Sequence, residues 1–255
     1  ADVVVAAAQA ALERLCAERQ IAESHGIEHA RRVLRHAERA LAAAAGKGLS
    51  ESVSLAVRLA ALLHDADDKK IFPESRKGEY ANARSIMQSA SATPGVVDDA
   101  LRMIALVSCS ANGNSVPADA AERPELLWPR WADRLEAAGE IGVVRCWQYN
   151  TEVGAPMDCA ETPRPSTADE VWALATEERF AEYQASGGGS RSMMDHYYDK
   201  LLRVCRPDLS VVRNPYLEAE MEQRAEPLIE VCLAYGKTGK VPEALIRDMA
   251  ARCAA

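Results

Sequence analysis

Two histidines and two aspartates stand in three well-separated segments: His29, the adjacent pair His64 and Asp65, and Asp133. Together they offer two imidazole nitrogens and two carboxylates. That set supplies four N/O donors to one divalent cation and leaves positions open for water and a phosphate oxygen. The rest of the chain holds only three other histidines, His25, His36 and His196, so few imidazoles compete for the role. A His next to an Asp is common in helical proteins, and the pair by itself says little. The residues around it say more.

The elements that must position these groups are helices. Apolar residues Ile27, Ala30, Leu34, Ala37 and Leu41 recur at helical spacing, which predicts a helix over 27–45 ended by Gly46 and Gly48. On it His29, Arg32, Val33 and His36 share one face, because offsets of three, four and seven residues return to the same side. An arginine one turn from a metal ligand suits phosphate: the cation takes one oxygen and the guanidinium takes two more. Arg32 is therefore a catalytic candidate. His36 is expected to pack between helices. His25, at the helix start before Gly26, is a candidate substrate contact.

Ser50 reads as the N-cap of a nearly all-apolar, hence central, helix through Leu63. On a regular helix His64 and Asp65 point about 100° apart, so both reach one cation only where a helix end overlooks it. If the helix continued, Asp68 would project between them and would orient or deprotonate an attacking water. Asp67 would face outward, to solvent or a salt bridge. Further helices are expected near 80–91, 95–108, 125–137, 139–152, 167–184, 196–204, 215–235 and 241–252, with no strand signal of any strength. Residues 153–167 carry three prolines, and Ser186-Gly-Gly-Gly-Ser190 is the most flexible-looking stretch. Trp128 and Trp131, at helical spacing, are expected in the core.

Composition narrows the classes. At 255 residues and 48% hydrophobic, the chain can bury a substantial core. A net charge of −8 argues against bulk nucleic-acid backbone as the main partner, since that binding rests on Lys and Arg. Seven cysteines with no CxxC pair suggest reduced thiols and no Cys-type zinc site. No apolar run is long enough to span a membrane, and the N-terminus lacks a basic region ahead of its apolar stretch, so a cytoplasmic protein is expected.

The segments SHGIEHARRV (24–33), LAALLHDADDKKIF (59–72) and WADRLEAAGEIGVVR (131–145) resemble the HD superfamily of metal-dependent phosphohydrolases, in particular the small bacterial HD-domain nucleotide pyrophosphohydrolases. His29, Arg32 and Val33 match the family's H-x-x-R-V, Leu62 to Asp65 its L-L-H-D, and Ala132 to Leu135 its A-D-R-L. The run from His196 through Tyr197, Tyr198 and Lys200 to Leu202 is similar to that subgroup's aromatic-rich H-F-Y-x-K-L-L. The likeness spans roughly residues 15–205. Gly26 stands where relatives often have aspartate, and Pro73 and Glu74 fill a region where some members carry another carboxylate.

The resemblance implies an all-α HD-domain helical bundle over 1–206, with 153–192 as a loop-rich insertion or flap. Residues 207–255 would be a C-terminal helical extension packed on the same domain. It implies one divalent metal (Mn, Mg, Co, Ni or Zn) held by His29, His64, Asp65 and Asp133. It also implies Lys70 beside a leaving phosphate as a catalytic and binding residue, and His196 or Tyr197 near a sugar or base. The expected activity is hydrolysis of a nucleoside triphosphate to monophosphate and pyrophosphate. A nucleotide-binding sensor without turnover is the alternative. A di-iron HD oxygenase is disfavoured, because residues 66–132 contain no histidine. The sequence sets no oligomeric state.

Overall fold

A computed structural model describes residues 1–22, 25–46, 48–69, 71–76 and 78–254, and among them there are helices and turns but no strand. The chain forms two compact units. The first comprises Ala1–Ser108, Val116–Asp133 and Ser210–Leu217; the second comprises Cys109–Ser115, Arg134–Leu209 and Glu218–Ala255.

The first unit is built on α1 (Asp2–Glu18), α2 (Ile27–Ala43), α3 (Glu51–Leu63), α4 (Ala81–Ser89) and α5 (Pro94–Val107). α3 lies against both α2 and α5, and α1 touches α2, α3 and α4. That central place follows from composition: Ala56, Val57, Leu59 and every residue from Ala60 to Leu63 are buried. A fully buried leucine such as Leu59 or Leu63 contributes roughly 2 kcal/mol, while the alanines let neighbouring backbones come close. α2 is two-sided. His29, Val33, His36, Ala37 and Ala40 form its buried stripe and Arg35 and Arg39 lie outside.

Beyond α5 come a short helix, Ala118–Glu122, and a 3₁₀ turn, Pro124–Leu127, before α6 (Trp128–Leu135). The single helix expected over 125–137 is thus split and shorter, because Pro124 starts a tighter turn. Trp128 and Trp131 are core residues, as expected. Residues 210–217 belong to this unit through Asn214 and Tyr216. The Asn214 side-chain amide donates to the Ala40 carbonyl at 2.9 Å, and its oxygen accepts from the Tyr216 and Leu217 amides. The Tyr216 hydroxyl lies 2.6 Å from His36 Nδ1, so His36 is the packing histidine anticipated.

In the second unit α7 (Gly139–Glu152) packs against two later helices, Glu226–Thr238 and Glu243–Ala254. Gly139 starts α7 at φ +69, where a side chain would be strained, and its amide donates to the Arg224 carbonyl. The insertion is loop-rich over 153–167 only. It continues as α8 (Ala168–Leu174) and α9 (Glu177–Ala185), separate helices capped by Thr167 and Thr176. Val171, Ala175, Phe180 and Tyr183 on them are buried in this unit's apolar clusters. The glycine run closes as a turn in which Ser186 Oγ donates to the Tyr183 and Gly189 carbonyls. Residues 193–204 form α10, whose middle, Tyr197–Leu201, winds as a π-turn. Its start is fixed by Asp195, fully buried, which accepts from Ser192 Oγ at 2.7 Å, Thr162 Oγ1 at 2.9 Å and Arg179 Nη2 at 3.0 Å. The boundary expected at residue 206 matches neither unit's limits, and helix α11 (Pro215–Gln223) follows it.

Candidate metal centre

The site begins where α3 stops. Ser50 Oγ accepts from the Val53 amide and starts the helix, which runs to Leu63. His64 is the closing residue, still at φ −59, ψ −31. From there the chain turns: the Ala66 amide donates to the Leu63 carbonyl and the Asp68 amide to the Asp65 carbonyl. His64 Nδ1 lies 2.9 Å from the Ala61 carbonyl, which can only accept, so Nδ1 carries a proton. One contact therefore satisfies a carbonyl left open at the helix end and presents Nε2 to the site.

His29 Nε2, on the first turn of α2, is 3.2 Å from His64 Nε2. Asp65 Oδ2 lies 3.3 Å from His64 Nε2 and 3.7 Å from His29 Nε2. Asp133 Oδ1 lies 3.4 Å from each imidazole nitrogen. His29, His64 and Asp65 form a group able to hold a metal ion, with ligand atoms all within 4.8 Å of one another. Donors about 2.1 Å from a shared cation sit about 3.0–3.4 Å from each other along octahedral or tetrahedral edges. The separations found here fit that sphere with little adjustment. The donor chemistry fits too: two neutral imidazoles and two ionised carboxylates carry a charge that one divalent cation cancels.

Without a cation, protons take part of that role. Burial opposes charging of His64, but Asp65 and Asp133 outweigh it and hold the imidazole well above its usual pKa of 6.5. Burial also opposes ionising the two carboxylates. It is overcome for Asp65 by the charge and hydrogen bond of His64, and for Asp133 by hydrogen bonds from His29 and His64, so both lie below the ordinary aspartate value. The imidazole side chains are 1% and 2% exposed, whereas Asp65 and Asp133 expose 25% and 28%. The pair of carboxylates is the solvent side of the cluster.

Four sequence-picked ligands are thus brought together. His25 is near: its ring centroid is 6.4 Å from that of His29, and both line a small cavity with Cys16, Asp65, Ile71 and Phe72. Burial raises the Cys16 thiol, assisted by Asp65 and Glu13, so it stays protonated near neutral pH and is a poor donor. Arg32 is on α2 one turn beyond His29, half-buried. The helical argument for Asp68 does not hold, because α3 ends at Leu63 and the chain turns over 64–67. Asp68 stays in the same turn as Asp65 but at no helical offset from it. Lys70 lies outside the described residues. His196 and Tyr197 belong to the second unit. His196 Nδ1 is 3.1 Å from Ser190 Oγ, and Tyr197 is wholly buried in that unit's core with no hydrogen-bond partner for its hydroxyl.

One contributor escaped the sequence reading. Asp67 is half-buried and its carboxylate is engaged: its Oδ1 accepts from the Asn82 amide at 3.0 Å and its Oδ2 from the Ala83 amide at 2.9 Å. In return the Asn82 side-chain amide donates to the Ala66 carbonyl at 2.8 Å. The signal was available in α4, whose N-cap position holds Tyr80 and offers no side-chain acceptor. A helix start without a local cap must find acceptors elsewhere.

No family model matches the chain. It is 36% identical over 223 residues to the uncharacterised protein L803 of Acanthamoeba polyphaga mimivirus, covering 83% of this chain and 88% of the viral one. The chain belongs to one family with that protein. A crystal structure of a Lactobacillus plantarum protein from a structural-genomics programme superposes with a TM-score of 0.64 at 21% identity, over 92% of this chain and 96% of that one. At that identity the likeness is one of all-helical fold. Among the described residues, no helix is long and apolar enough to cross a membrane.

Proposed function

We propose that the chain is an HD-type, metal-dependent phosphohydrolase acting on nucleotides, with a nucleoside triphosphate cleaved to monophosphate and pyrophosphate as the leading case. The observation that carries this reading is the convergence of His29, His64, Asp65 and Asp133, at mutual distances of 3.2–3.7 Å for the pairs involving an imidazole. The resemblance of the three segments around these residues to HD phosphohydrolases supports it.

A divalent cation bound there would lower the pKa of water toward neutrality and polarise a phosphoryl oxygen. His64 contributes through Nε2 because its Nδ1 proton is engaged by Ala61. Asp65 and Asp133 supply the negative charge, and their partial exposure leaves the cluster open on one side for substrate. Arg32 would hold a phosphate oxygen from the next turn of α2, with Lys70 and His25 as further contacts. Asp68 has lost its helical offset, but its amide donates to the Asp65 carbonyl, and from that turn its carboxylate would take or orient the proton of the attacking water. Substrate contacts from His196 and Tyr197 find no support in the burial of Tyr197.

The test is to incubate purified protein with Mn²⁺ and each nucleoside triphosphate, measuring phosphate and pyrophosphate separately. Pyrophosphate release that vanishes with chelator is the expected result. Mn²⁺ binding without release of either product from any nucleotide would end the hydrolase reading.

A further inference from the structure

We infer that Asp67 is a positioning residue that sets the metal affinity of the His64–Asp65 turn by clasping it to the N-terminus of α4. The inference rests on the metal centre argued above and adds to it a residue outside the donor set. His64 and Asp65 sit past the last helical residue, so the α-helical ladder that orients side chains on α3 ends just before them. What replaces it is a reciprocal pair. The Asp67 carboxylate accepts from the second and third amides of α4, Asn82 and Ala83, and the Asn82 side chain reaches back to the Ala66 carbonyl. Ala66 and Asp67 follow Asp65 directly, so these bonds fix the peptide that carries the ligand carboxylate.

Three features make this more than an ordinary cap. The carboxylate and the helix are 15 and 16 residues apart in sequence, so the contact ties two segments and does not merely start a helix. The negative charge of Asp67 is directed at the positive end of α4, which keeps a third carboxylate from competing for the cation. Tyr80, at the junction, adopts φ 47, ψ 48, a left-handed conformation unfavourable for an aromatic residue, and its carbonyl accepts from the Arg84 amide at 2.9 Å. Buried Phe72, whose amide donates to the Asp68 carbonyl, closes the intervening loop. Residues that orient ligands from behind typically govern affinity by about 10- to 100-fold.

The experiment measures Mn²⁺ binding to the full chain by paramagnetic resonance, alongside thermal unfolding of the metal-free protein. Asp67→Ala should raise the Mn²⁺ dissociation constant by about 10- to 100-fold. Asp67→Asn, which retains one acceptor oxygen, should recover much of the affinity, and Asn82→Ala should show a smaller loss in the same direction. Ser50→Ala removes an ordinary cap at the other end of α3; it should lower the unfolding temperature without changing the dissociation constant more than about twofold. Should Asp67→Ala not fold, Asp67→Asn and Asn82→Ala decide the matter. Wild-type affinity in both clasp variants, or an equal loss of affinity in Ser50→Ala, overturns the positioning role while leaving the metal centre standing. Failure of the wild-type chain to bind Mn²⁺ overturns the metal centre and this inference with it.

Discussion

Each unit buries a carboxylate system, and the two are solved in opposite ways. Asp195, with no exposed surface, is surrounded by donors: Ser192, Thr162 and Arg179, with Cys159 and Arg191 at the margin. Burial pushes its pKa up, but those donors win and hold it below the ordinary value. The protein itself supplies every compensating group. Asp65 and Asp133 instead face two imidazoles that can each bring at most one proton to the shared space, and no arginine or lysine is seen paired with either among the described residues. The first arrangement is complete and belongs to folding. The second is short of positive charge, which is the condition a cation relieves.

Substitutions can break that contrast. Asp65→Ala should abolish Mn²⁺ binding and hydrolysis together, since a lost carboxylate leaves the cation undercompensated; titration of the variant with Mn²⁺ checks it. Asp68→Asn should retain the metal and lower turnover by on the order of 10²-fold, and unchanged turnover would remove Asp68 from the chemistry. Asp195→Ala should leave Mn²⁺ affinity untouched but cost about 2 kcal/mol in a denaturant titration. That figure stays moderate because Arg179 keeps its 2.7 Å contact to Asp199.

pH sharpens the contrast further. His64, with its pKa raised in the fold, stabilises the metal-free protein fully below about 6.5. That contribution is lost as pH rises through the higher folded value. The depressed Asp65 and Asp133 contribute above the ordinary aspartate range and lose that contribution only in acid. Metal-free unfolding temperature should therefore fall as pH is raised above 6.5, and Mn²⁺ should restore it, because the cation and the His64 proton compete for Nε2. A flat profile would mean that His64 is neutral in the metal-free state. The smallest effect is expected at Tyr197→Phe, which removes a buried hydroxyl without a partner. Stability should change by less than about 1 kcal/mol, and an altered KM would return Tyr197 to the substrate site.

The cluster of His29, His64, Asp65 and Asp133 was legible because it depends on residue type and order: few histidines, one beside an aspartate, and matching flanks. Helices α2, α3 and α7 were legible from period and caps, with Ser50 and Gly139 marking boundaries that the structure keeps. The end of α3 at Leu63 was legible, and with it the failure of the conditional helical argument for Asp68; where Asp68 then points was not, since side-chain direction past a helix end depends on the turn that follows. Asp67 was harder to find because its partners are backbone amides; the one trace is indirect, a helix start at Tyr80 with no cap of its own. The split of 167–184 at Thr176 was missed because a second capping threonine inside a helical pattern reads as one more polar position. The division into two units cuts across the sequence, and local periodicity does not report it.

The strap of residues 210–217 has a bearing on how the protein is made. His36 meets Tyr216, 180 positions further along the chain, on the same helix that carries His29. At about 5–20 residues per second, a ribosome emits His36 roughly 10–40 s before its partner. During that interval α2 carries His29 but lacks its tether, and the nascent first unit waits as an unfinished, exposed bundle. Distant contacts of this kind slow folding. A chain ended at residue 206 would contain all four donors and still lack the strap, and it is expected to expose the α2 surface around His36 to chaperones or proteases, which limited proteolysis of the shortened chain would reveal.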